Sequence, residues 1–76
     1  MDLPLNRADA MAYMEREAGK YGYTAKDVIG RGQAKNLMRV RKLIGSGLVE
    51  MGWSLWEVGE MLNREHTTIL YYRTGK

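Results

Sequence analysis

Apolar residues at Ala10, Met11, Met14 and Ala18 recur three and four apart, which predicts one amphipathic helix over residues 6–20. Asn6 or Asp9 is expected to accept from the orphan amides at its start. Gly19 and Gly22 mark its end, with Lys20 near the negative pole. Tyr21 and Tyr23 flank Gly22 and are expected to pack on the core. Residues 24–33 read as a short capped turn. Thr24 is the cap, Val28 and Ile29 are the anchors, and Gly30-Arg31-Gly32 is a flexible basic loop. Leu37, Val40, Ile44, Leu48 and Met51 then form a second helical stripe, predicting a helix over residues 34–51 with Lys35, Arg39 and Lys42 off the stripe. Gly45 and Gly47 weaken that helix by roughly 1 kcal/mol each relative to Ala, and imply either a close crossing or a kink.

Ser54-Leu55-Trp56-Glu57 is a capping box, in which the serine hydroxyl serves the Glu57 amide and the carboxylate reaches back. Leu55, Val58 and Leu62 supply the apolar face behind it. Asn63 is a plausible left-handed stop. One or two residues later a further helix is predicted through Ile69 and Tyr72 to about Thr74. A short helix, a tight turn and a second short helix make a helix-turn-helix pattern.

Composition narrows the fold. The only proline is Pro4, phenylalanine is absent, and Val and Ile are few, so strands are poorly supported. With 76 residues, about 60% of the unfolded chain's surface can be buried, which leaves one thin core. No cysteine and a single histidine argue against a disulfide framework, a thiolate zinc site or a His-rich metal site, and no cofactor is expected. No apolar run approaches the length of a membrane span, and the first ten residues lack a signal pattern. The expectation is an all-α bundle of four to five helices, monomeric and cytoplasmic. Residues 1–5 would form a leader and residues 6–76 one domain.

Charge adds a direction. The net charge is only +3, but between Asp27 and Glu50 stand Arg31, Lys35, Arg39, Arg41 and Lys42 with no acid among them. Such a stripe is an electrostatic footprint for a polyanion. A merely solvated face would have the same composition.

In a helix-turn-helix that binds DNA, the first residues of the second helix meet base edges in the major groove. Those residues here are Arg64, Glu65, His66, Thr67 and Thr68. A threonine methyl can contact thymine and a glutamate can accept from cytosine N4. A helix start also favours phosphate. The competing reading is an ordinary polar helix start.

The stretch Ser54-Leu55-Trp56-Glu57-Val58-Gly59, followed by Arg64-Glu65-His66-Thr67-Thr68-Ile69-Leu70, resembles the C-terminal DNA-binding domain of the bacterial replication initiator DnaA. The family signature is Arg-Asp-His-Thr-Thr-Val, and the likeness extends over about residues 10–74. The resemblance implies that Glu65, His66, Thr67 and Thr68 read bases. It implies that Arg39, Arg41 and Lys42 hold backbone phosphates, and that the partner is double-stranded DNA of a DnaA-box-like site near the nucleoid; Arg31, Lys35 and Arg64 are expected to add backbone contacts. Gln33 stands where the family's loop carries a minor-groove arginine, with Arg31 and Lys35 nearby. Nothing in the chain resembles the initiator's nucleotide-binding motor, so it is expected to be a small regulator of replication or transcription, with a phage or mobile-element setting open. Met1 and the leader favour a stand-alone protein.

Catalysis is disfavoured, because Ser54 serves as a cap and a lone His66 on a surface helix is usually solvated. No small-molecule substrate is expected. Met11, Met14 and Met51 fall on core stripes. Trp53 and Trp56 cannot easily both be buried in so small a core, and an exposed one would suit a protein partner. A protein-binding adaptor that keeps the fold without strong DNA binding is therefore the alternative.

Overall fold

The computed structural model describes residues 6–74, and five helices make up its regular structure. They are α1 (Arg7–Gly19), α2 (Ala25–Ile29), α3 (Lys35–Glu50), α4 (Leu55–Leu62) and α5 (His66–Thr74). The all-α expectation holds, and no strand occurs among the described residues. The expected leader, residues 1–5, lies outside the described residues, as do residues 75 and 76. No helix among the described residues is long and apolar enough to cross a membrane.

Local chemistry sets the helix starts. Asn6 Oδ1 accepts from the Ala8 amide at 2.7 Å and caps α1. Thr24 and Asp27 form a capping box on α2, and Ser54 and Glu57 form another on α4. Three helices end in one way. The amides of Tyr23, Trp53 and Arg64 reach back five residues to the carbonyls of Ala18, Leu48 and Gly59. The residue before each has positive φ: Gly22 at 82°, Gly52 at 113° and Asn63 at 56°. This is the Schellman turn, which reverses the chain and returns the next side chain onto the helix it leaves.

Three expectations are corrected, two of them by that return. Trp53, brought back by its turn, is buried at the end of α3, so the stripe stops at Leu48 and Met51 is exposed. Tyr23 is half-buried, whereas Tyr21, one residue before the reversal, is exposed. On α1 the buried line is Ala10, Met14 and Ala18, spaced by four, and Met11 falls outside it. Two alanines make that line narrow.

The core joins this line to Val28, Leu37, Val40, Ile44, Leu48, Trp53, Val58, Met61, Leu62 and Ile69. Each fully buried aliphatic side chain contributes about 1.5–3 kcal/mol. The glycines of α3 serve a close crossing without interrupting the helix. A methyl on Gly45 would stand 2.9 Å from the Tyr72 ring of α5, and one on Gly47 would fall on the Tyr13 hydroxyl of α1. Ser46 Oγ donates to the Tyr72 carbonyl at 3.1 Å, which fixes α5 against α3.

Candidate nucleic-acid interface

The turn between α4 and α5 depends on Gly59. A β-carbon there would sit 2.6 Å from the Arg64 carbonyl oxygen, so the backbone of residues 64–66 rests directly on α4. The Arg64 amide closes the turn on the Gly59 carbonyl at 2.7 Å. Asn63 supplies the left-handed residue. The Glu65 carbonyl receives the amides of Thr68 and Ile69 and opens α5. Ile69 is fully buried and Tyr72 half-buried, which anchors α5 on one face. Glu65 and Thr67 are exposed, and His66 and Thr68 are half-buried.

His66 has a neighbour that its sequence position does not announce. Its ring stacks on Trp56, with centroids 4.4 Å apart and planes 13° from parallel. Trp56 remains 65% exposed, while Trp53 is buried with Arg7 6.0 Å above its ring. The sequence left open which tryptophan goes inside. The Schellman turn selects Trp53, and the missing side chain of Gly59, one turn beyond Trp56, lets the start of α5 approach the other.

The six candidate phosphate contacts divide into two groups. Arg41 does not belong on the binding surface: it is only 3% exposed. Its Nε donates to the Val28 carbonyl at 2.8 Å and its Nη2 to the carbonyls of Asp27 and Gly30, both at 3.3 Å. Burial, with a smaller push from Arg64, lowers its pKa below the usual arginine value. Arg64 is similarly committed. Its Nη1 donates to the carbonyls of Ile29, Leu62 and Asn63, and its Nη2 to that of Gly30 at 2.6 Å. The reason is α2, a helix of five residues. Its last carbonyls have no helical partners, and two guanidinium groups satisfy them.

Arg31, Lys35, Arg39 and Lys42 differ. The first three are exposed and Lys42 is half-exposed, and among the described residues none has an acidic partner. Lys35, Arg39, Lys42 and Ser46 stand at i, i+4, i+7 and i+11, one line along α3. Its far end is Ser46, which is bonded to α5. At the other end Arg31 directly follows Gly30, the carbonyl that Arg64 holds. Gln33 is exposed in the same loop. The loop that carries Arg31 is thus tied to the α4–α5 turn, while Arg39 farther along α3 lines a shallow groove with Tyr21, Asn36, Val40 and Leu43. Among the described residues no group of three His, Cys, Asp or Glu side chains stands together as metal ligands would.

Compared with known proteins, the chain matches no family model, no curated protein and no solved structure.

Proposed function

We propose that this chain is a sequence-specific double-stranded DNA-binding protein that inserts the start of α5 in the major groove. The observation that carries the reading is a helix-turn-helix unit whose turn holds, through Gly30, the loop bearing Arg31, on a chain where Arg31, Lys35, Arg39 and Lys42 have no acidic partner among the described residues. Glu65, Thr67 and the open edge of His66 are the base-reading candidates, with Thr68 deeper at the same start. Arg31, Lys35, Arg39 and Lys42 are the phosphate clamp. Phosphate contacts fix register and supply most of the affinity, and base-edge contacts supply selectivity. The resemblance to the DnaA C-terminal domain supports the same assignment and suggests a DnaA-box-like site, with a role in replication or transcription control.

Arg41 and Arg64 take a different part. They hold the loop that carries Arg31 against the turn that carries Glu65, and so keep clamp and reader in register. Protein–DNA recognition tolerates little slack between these two sets of contacts.

The test is selection from a randomised duplex pool, followed by anisotropy titration on the enriched duplex and a scrambled one. Preferential binding of the enriched duplex, weakening steeply with salt, is the expected result. Absence of any enriched sequence would overturn the proposal. The adaptor reading would then rest on the exposed Trp56.

A further inference from the structure

Trp56 lies on α4, outside the helix proposed to read bases, and yet it is the residue that covers His66. It lines the same groove as Gly59, Asn63, Arg64 and Glu65. The near-parallel stack at 4.4 Å leaves one imidazole face against the indole. The ring edge is in the opposite condition. Among the described residues neither imidazole nitrogen has a protein hydrogen-bond partner, and neither is a buried polar atom left unsatisfied. The two nitrogens are therefore open to solvent while the ring carrying them is held in one plane.

A solvated histidine on a helix samples several rotamers, and freezing them at the moment of binding costs free energy. A ring already seated on an indole has lost most of that freedom beforehand. A neutral imidazole edge presents one donor and one acceptor. The donor suits guanine O6 or a purine N7 in the major groove.

We propose that Trp56 is a positioning residue for His66, and that the stack preorganises the imidazole edge for one base-edge hydrogen bond. Part of the discrimination exerted by α5 then depends on a side chain of α4. The inference rests on the reading of α5 as the recognition helix and adds a residue which that reading does not require. It also differs from a simple stabilising contact. A stack that only braced the turn would, when lost, weaken binding to every duplex alike. A stack that aims the imidazole would, when lost, weaken only the duplex whose base that edge meets.

The experiment uses the whole chain as wild type, Trp56→Ala, Trp56→Phe, His66→Ala and the double variant Trp56→Ala/His66→Ala. Affinities are measured on the duplex enriched by the wild type and on its scrambled counterpart, with melting followed by circular dichroism. Trp56→Ala is expected to weaken the enriched duplex by about fivefold or more and to leave the scrambled duplex within about twofold. Trp56→Phe keeps a flat ring beneath the imidazole and is expected to restore most of the loss. In the His66→Ala background, removal of Trp56 is expected to cost nothing further.

Unchanged affinity of Trp56→Ala for the enriched duplex would overturn the inference and leave the proposed function standing. Equal losses on both duplexes with a lowered melting temperature would overturn it too, since that is the signature of a brace. Additive losses in the double variant would separate the two rings and have the same consequence. If the wild type enriches no sequence, the recognition reading itself fails and takes the inference with it.

Discussion

Arg41 and Arg64 converge on a single acceptor, the Gly30 carbonyl, at 3.3 and 2.6 Å. One comes from the middle of α3 and the other from the turn before α5. Between them they bind the last carbonyls of α2 and tie three parts of the chain at the foot of the basic loop.

Arg41→Ala is expected to destabilise the fold by about 2–3 kcal/mol, because buried carbonyls lose their donors. Its neighbour on the same helix, Arg39, is exposed. Arg39→Ala should leave the melting temperature nearly unchanged and weaken binding to specific and scrambled DNA alike. Paired thermal melts and titrations check the contrast, and similar behaviour of the two variants would refute the division between clasp and clamp.

Salt dependence counts the clamp. If Arg31, Lys35, Arg39 and Lys42 neutralise about four phosphates, log affinity should fall against log salt with a slope of about −3 to −4. Arg39→Ala should flatten the slope by about one. A wild-type slope near zero would rule the clamp out.

Thr67 is exposed on α5 and contributes nothing to the buried core. Thr67→Ala is expected to cost about 1–3 kcal/mol on the preferred duplex and almost nothing on a scrambled one, with the fold intact. Equal losses on both duplexes would mean that this position does not read sequence.

Gly59→Ala sets two effects against each other. Alanine improves helix propensity by about 1 kcal/mol. The added methyl meets the Arg64 carbonyl oxygen at 2.6 Å, and that atom belongs to backbone held by the turn. Displacing it should dominate, for a net loss of about 1–3 kcal/mol in a chemical denaturation curve. Binding should suffer as well, since the turn carries Glu65 and His66. A more stable Gly59→Ala variant would contradict the close packing of turn on helix.

The α4 capping box has an acid signature. Bonds from the Ser54 backbone amide and hydroxyl hold the Glu57 carboxyl below its ordinary value of 4.5. A depressed carboxylate stabilises the fold fully above its unfolded pKa. That contribution should fade as pH falls below about 4.5 and through the folded value. Ser54→Ala should cost about 1 kcal/mol at neutral pH and reduce this acid sensitivity without abolishing it, because the backbone amide that bonds the Glu57 carboxylate remains. Melting temperatures from pH 7 down to pH 3, compared between wild type and Ser54→Ala, would show whether the two curves converge in acid.

Local chemistry was readable along the chain, because it joins residues a few positions apart. The Ser54–Glu57 box, the left-handed Asn63, the glycine-marked ends and the helical spacing of Leu37, Val40, Ile44 and Leu48 all follow from short-range sterics and hydrogen bonding. So does the separation of Lys35, Arg39 and Lys42 from the core stripe. What the chain could not declare was set by contacts across long sequence separations. Arg41 reads as one more base in a basic run until α2, thirteen residues earlier, is seen to lack acceptors' partners at its end. Arg64 reads as part of a recognition motif until Gly30, thirty-four residues away, is placed beside it. Trp53 and Trp56 are chemically equal in the sequence. Only the reversal at Gly52 sends one inside, and only the approach of α5 over Gly59 gives the other a histidine to hold.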